Sequence, residues 1–278
     1  MDAPVPKGQV AWQPFTPRGV AAFARASFRR LLAMELIIGA LAAGAVAWVL
    51  HHDWFPVINR AISQLPTEGE IRFQQLDWRA DSPARLADNQ WLAVSVDLTH
   101  AGQARSPAHL QVELGRSDVR FISIFGFVPR KYPAGWRVAF NRPQLIPWWG
   151  AWAPAILAMT AALVLVGLLL TWTTLASLYF LIVLLIAFFA NRDLGMSQSW
   201  RLSSAALMPG AFLFTLAILL YGQGSLDLLR LLVAAGLHVI IGWIYLLTAI
   251  RALPFVAGET KAATNPFTPP AKMPPHPN

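Results

Sequence analysis

Residues 148–190 read WWGAWAPAILAMTAALVLVGLLLTWTTLASLYFLIVLLIAFFA, and from Trp152 to Phe189 no Asp, Glu, Lys, Arg or His interrupts them. As one α-helix these 38 residues would measure ~57 Å at ~1.5 Å per residue, about twice a ~30 Å hydrocarbon core. A chain that folds back on itself fits that thickness. The stretch therefore predicts a transmembrane hairpin, with spans at 153–170 and 175–190 and a turn at Thr171-Trp172-Thr173-Thr174. That turn lacks Gly, Pro and charge, the usual punctuation of a chain. Trp148, Trp149 and Trp152 precede the run as an aromatic collar. An amphipathic ring gains most at a headgroup boundary, so these three are expected to form an interfacial belt.

Downstream, a fourth span at Leu202–Tyr221 contains Pro209-Gly210, which predicts a kink or local unwinding. A fifth runs from Leu226 to Ile250 and ends at Arg251. Upstream, Leu31–Leu50 is the first span, and Arg18, Arg25, Arg29 and Arg30 before it put the N-terminus in the cytoplasm. Ala45-Val46-Ala47 mimics a signal-peptide cleavage site, but the apolar run continues through Trp48-Val49-Leu50 and the basic segment before it is too long. Gly39, Ala43 and Ala47, four apart, make a small-residue ridge suited to close helix contact. Val20, Phe23, Ala24 and Phe28 recur at helical spacing. Two readings of that segment stay open: an amphipathic helix on the membrane surface, or an extension of the first span.

The chain is 56% hydrophobic and 13% charged, where soluble domains carry about a quarter charged residues. Its charges are unevenly spread. Residues 51–150 hold 11 Lys/Arg and 9 Asp/Glu, whereas 151–250 hold only Arg192, Asp193, Arg201, Asp227 and Arg230. A charge-balanced, water-facing domain thus sits within a membrane frame. The net +8 flanks apolar runs, so anionic lipid is the expected counter-charge and nucleic acid is not an expected partner. With no cysteine, disulfides and thiolate chemistry are excluded.

Inside the charged region, Val57, Ile58, Ala61, Ile62 and Leu65 keep helical spacing up to Pro66. The period then drops to two. Leu92, Val94, Val96 and Leu98 alternate, as do Leu110, Val112 and Leu114, and Trp136, Val138 and Phe140. Ile71-Phe73 and Leu76-Trp78 alternate with a one-residue slip, read as a bulge. Val119–Phe125 is a fifth strand candidate. Together these predict a small antiparallel β domain with one apolar face.

The expected organisation is a cytoplasmic N-terminal segment (1–30), a first transmembrane helix (31–50), an extracytoplasmic β-rich domain (51–147), a four-helix transmembrane region (148–250) and a Pro-rich disordered tail (251–278). The fold class is an α-helical integral membrane protein of about five spans, with the β domain inserted after the first. Five spans leave Arg192, Arg201, Lys261 and Lys272 outside, against the charge rule. A single crossing by 151–190 would obey the rule but leave about 20 apolar residues to hide, at ~25 cal/mol per Å² exposed. Five spans is the reading kept.

Ionisable groups within spans are the candidate functional residues. Glu35 is the one acid in the first span, and Arg230 and His238 lie in the fifth. Five spans bring Glu35 and Arg230 to one side, so the two are expected to pair. His51-His52-Asp53 invites a metal reading, but neighbouring side chains on a regular helix point ~100° apart and do not chelate together. No H-E-x-x-H, G-x-S-x-G, P-loop, dinucleotide glycine motif or paired intramembrane Asp is present. Neither a catalytic residue nor a cofactor or metal is expected.

The basic-aromatic segment Phe23, Phe28, Arg29 and Arg30 precedes the first span, then come an extracytoplasmic domain and four closely spaced spans. This order of parts resembles bacterial integral membrane proteins distantly similar to the five-span Yip family. The resemblance implies a non-enzymatic role in recruiting partners and shaping membranes. The function expected is a membrane scaffold or accessory protein with a partner- or ligand-binding β domain, its partners the lipid bilayer and other membrane proteins. The alternative is a small-solute transporter or channel using Glu35, His238 and the Pro209-Gly210 break. It requires a polar cavity at the bilayer midplane lined by those residues.

Overall fold

The computed structural model describes residues 13–256. The Pro-rich start of the chain before residue 13 and the tail beyond residue 256 lie outside the described residues. Among the described residues, six α-helices and eight strands make a helix bundle with a β domain on one end. Helix α1 (Pro17–Phe23) starts at Thr16, whose hydroxyl accepts from Gly19 N at 3.1 Å, with Pro17 at the first position. Helix α2 (Phe28–Val49) does not stop at Leu50. It passes through a π-helical turn (Leu50–Trp54) into α3 (Phe55–Ser63), giving a continuous 36-residue rod, Phe28–Ser63. The cause of the π turn is Pro56. A proline has no N–H for the carbonyl four residues back, and its ring collides with that carbonyl unless the helix widens.

The expected hairpin is not formed. Residues Arg142–Phe189 are one helix, α4, of 48 residues. The physical reason lies in the supposed turn. Thr171, Thr174 and Ser177 each donate to the carbonyl four residues back, at 2.7–2.8 Å, so their hydroxyls are satisfied within a helix. Trp172, 3% exposed, packs on Gly39 of α2. The length of α4 is absorbed because it runs antiparallel beside the whole α2–α3 rod. Trp149 meets Phe55 and donates to Asn59 at 2.6 Å, while Leu165 and Trp172 meet Gly39. The region 148–250 therefore contains three long helices rather than four: α4, α5 (Met196–Gly222) and α6 (Leu228–Arg251). With Phe28–Ser63, four helices among the described residues are long and apolar enough to cross a membrane.

Helix α5 is the centre of the bundle, packed on α2, α4, α6 and α1. It stays helical through Pro209 and does not unwind. Gly210 there lets α6 approach so closely that a Cβ would lie 2.2 Å from the His238 carbonyl oxygen. Helix α1 is a separate short helix and not an extension of the first span. Val20, Phe23 and Ala24 are fully buried in the bundle core, against α5 and α6. The N-terminal segment, the α4–α5 loop and the end of α6 meet at one end of the bundle. Arg25 pairs with Asp193 at 2.8 Å, and Arg192 donates to Leu253 O.

The β domain occupies the other end as two sheets. One holds β1 (Gly69–Arg72), β2 (Gln75–Trp78) and β8 (Val138–Ala139), in the order β2-β1-β8. The other runs in chain order through β3 (Ala84–Asp88), β4 (Leu92–Val96), β5 (Leu110–Leu114), β6 (Asp118–Ser123) and β7 (Gly126–Lys131). Ile71, Leu76, Val96, Leu114 and Tyr132 form its core. The predicted bulge near Phe73 is instead a hairpin. Phe73 and Gln74 take φ of 51° and 62°, the two left-handed positions of a two-residue turn. The irregularity falls in β3, between Arg85 and Ala87. The domain is also not wholly antiparallel, for β4 and β5 pair in parallel. A parallel pair needs a crossover of a dozen or more residues, and the segment from Asp97 to His109 supplies it.

Candidate functional site

The π turn forms the seam between bundle and β domain, and side-chain hydrogen bonds join the two there. Asp53 is 3% exposed. Its Oδ1 meets Nδ1 of the exposed His52 at 2.8 Å, while its Oδ2 is buried with no hydrogen-bond partner. His52 stacks on Trp48 at 5.2 Å between centroids. Asn89, just before β4, clamps the two parts together. Its amide donates to the Asp53 carbonyl at 2.7 Å, and its own Oδ1 accepts from the N–H groups of Trp91 and Leu92 at 2.9 and 2.8 Å. Trp91 Nε1 donates at 3.2 Å to the Tyr221 carbonyl at the end of α5, which also accepts from Gly224 N at 2.9 Å. His109 Nδ1 meets the Tyr221 hydroxyl at 2.8 Å with the rings stacked. Gly222 follows. A Cβ there would sit 2.7 Å from Val49, so its bareness lets α5 end against α2.

Chemically, the seam presents an exposed imidazole oriented by a buried carboxylate. Among the described residues no group of three His, Cys, Asp or Glu side chains is arranged to hold a metal ion.

A second buried cluster lies at the far end of the β domain. His100 sits between Glu113 (Nδ1 to Oε1, 2.6 Å) and Asp118 (Nε2 to Oδ1, 3.1 Å). Gly115 makes the room, because a Cβ there would be 2.1 Å from the ring. A carboxylate thus faces each ring nitrogen. Tyr132 closes the cluster by donating to Gly115 O at 2.9 Å. Burial, and then the negative charge of Asp118, push its phenol above the ordinary range. Nearby, burial tends to raise the Asp97 carboxyl. Hydrogen bonds from Gly102, Ala101 and Thr99 outweigh that and hold it below its usual value.

The candidates read from sequence are dispersed. Glu35 is buried and accepts a hydrogen bond from the Ser204 hydroxyl on α5. Arg230 is not its partner. It lies at the start of α6, 3.5 Å from Asp227, near the seam end of the bundle. With α4 a single helix, α5 and α6 run in the opposite sense to the five-span reading, which separates Glu35 from Arg230 by most of the length of α5. His238 contacts its own helix at Ala235 O and stacks on Phe214. Trp148 and Trp152 are exposed near the α3 end of α4, and Trp149 is tied to Asn59.

Two cavities stand out. One, of about 530 Å³, opens on the three-stranded sheet and is polar, with Glu68, Glu70, Asp77, Arg79, Arg137 and Gln144 in its wall. The other, of about 230 Å³, is an apolar groove between α2 and α5 lined by Leu41, Trp48, Phe212 and Leu216. Glu35 and His238 line neither. The seam itself was missed from sequence. His109 and Tyr221 are 112 positions apart, and only Pro56 after His51-His52-Asp53 hints at the widened turn. Compared with protein-family models, with curated proteins and with solved structures, the chain matches none.

Proposed function

We propose that the chain is a non-enzymatic integral membrane scaffold or accessory protein whose β domain binds a partner or ligand outside the membrane. In this reading four helices span a bacterial inner membrane, with both ends cytoplasmic. Arg25, Arg29, Arg192, Arg201 and Arg251 then share the cytoplasmic side, which satisfies the charge rule that five spans violate. The β domain, clamped through Asn89, Trp91 and His109, is held rigidly on the outer face. The Yip-like order of parts agrees with recruitment, although the span count differs.

The observation that carries the reading is where the polar concavity lies. It opens on the β domain between Arg79, Arg137 and acidic neighbours, whereas the bundle middle is closed by Gly210 on His238 and by Ser204 on Glu35. A transporter needs the reverse. The test compares chains co-purifying in mild detergent with the native protein and with Arg79→Glu/Arg137→Glu. The scaffold reading expects a stoichiometric companion lost in the variant. A lone chain that moves a solute across liposomes would overturn it.

A further inference from the structure

The β6–β7 hairpin carries exposed apolar side chains that its position explains. Ile124 and Phe125, the turn residues, are 59% and 77% exposed, and Phe127 and Val128 follow as exposed residues of β7. Such side chains on a water-facing tip are costly. Strand register shows which way the tip faces. Leu92 pairs with Leu110, Leu110 with Ser123, and Ser123 with Gly126, so one row across the sheet ends at this turn. The row begins beside Trp91 and His109, the two residues seated on Tyr221 at the end of α5. Strands β4 and β5 run away from the bundle, and β6 returns toward it. Two strand spacings of ~4.8 Å separate β5 from β7, so the turn lies ~10 Å to the side of His109 and level with it.

That level is marked independently as a bilayer boundary. Gly222 meets Trp48 there, the apolar run of α5 ends, and the aromatic rings of Trp48, Trp91 and Tyr221 gather. We infer that the β6–β7 turn is a lipid wedge. Ile124 and Phe125 enter the headgroup and upper acyl region of the leaflet crossed by the helices, and give the β domain a second attachment beyond the Asn89–Trp91–His109 seam. The occupant is lipid because strand register sets the turn level with the end of the apolar run of α5. Another exposed aromatic tip sets the contrast. Phe73 is 78% exposed, but the strand after it is tied to the far end of the domain, where Leu76 N donates to Arg116 O at 2.8 Å. The inference rests on the helices spanning a bilayer and not on the scaffold role.

The chain has no cysteine, so single-cysteine labelling has no background. Phe125→Cys, Ile124→Cys and Phe73→Cys, each carrying an environment-sensitive fluorophore, are reconstituted at one chain per nanodisc of phosphatidylcholine and phosphatidylglycerol. The expected result is blue-shifted emission at 125 and 124, quenched by shallow brominated or spin-labelled lipid, with water-like, unquenched emission at 73. Water-like emission at both 124 and 125 would overturn the wedge, even if a protein shields them in cells. Equal quenching at all three would also overturn it, because the far tip would then be at the membrane.

Discussion

Helices α4 and α5 are both apolar enough to cross a membrane, and they are buried in opposite ways. Within the most apolar stretch of each, 67% of α5 is buried inside the protein and none of α4. Their residues sort accordingly. Ser199, Ser203, Ser204, Ala205, Ala206 and Gly210 face the bundle on α5, while Leu163, Leu170, Leu178, Leu185 and Phe188 face outward on α4. In water the large apolar side chains would go inside. Here small and hydroxylated residues share the inside of α5 with Leu202, Leu207 and Met208, while the Leu and Phe of α4 lie outside. That sorting is matched to lipid, where close backbone contact and internal hydrogen bonds supplement packing. The β domain follows the rule of water, with Val96 and Leu114 inside and its exposed ion pairs outside.

The sharpest way to break this contrast is to add the same side chain to both helices. Gly210→Val drives atoms into the His238 backbone, whereas Gly167 on α4 has nothing within 4 Å of a Cβ. Thermal unfolding in detergent should show a loss of about 3 kcal/mol for Gly210→Val, the upper end for overpacking, and no resolvable change for Gly167→Val. Equal losses would remove the distinction between the two helices.

Hydroxyls give a smaller version of the same comparison. Ser204→Ala strips the donor from buried Glu35 and should cost about 1–3 kcal/mol. Thr171→Ala removes only a bond to its own helix, at Gly167 O, and should stay within about 0.5 kcal/mol. The same denaturation experiment reads both.

Sequence periodicity revealed the helices, the alternation of β4 and β5, and the helical stretch before Pro66, because each is a local pattern. It failed where a long-range contact decides. The length of the run at 152–189 implied a fold-back only because the bilayer was taken as its sole neighbour. The α2–α3 rod, itself extended by the π turn ahead of Pro56, gives α4 a partner beyond the membrane. The parallel pairing of β4 with β5 hangs on a crossover without helical or strand periodicity. The site was less legible still. Glu35 was recognisable as a buried polar group, but its partner Ser204 lies 169 positions away, and the His109–Tyr221 contact leaves no pattern in either segment.

The third contrast separates the two regions by pH. Tyr132 keeps its proton in the folded domain above the ordinary phenol value of about 10, so stability falls as pH rises beyond that point. Asp97 is held below the ordinary carboxyl value of about 3.9, so its contribution is full above that value and is lost as pH falls below it. Tyrosine absorbance and near-ultraviolet circular dichroism should show the β domain loosening at either extreme while helical signal persists. Tyr132→Phe should flatten the alkaline limb, the smallest effect of the three.

The whole account turns on α4 crossing once. Met196→Cys at the start of α5 and Ser225→Cys between α5 and α6 can be probed in intact cells with a membrane-impermeant thiol reagent, and both positions are exposed. A single crossing requires position 225 to label from outside and position 196 only after permeabilisation. The opposite pattern, 196 labelled from outside and 225 protected, would restore the hairpin and contradict the four-helix arrangement.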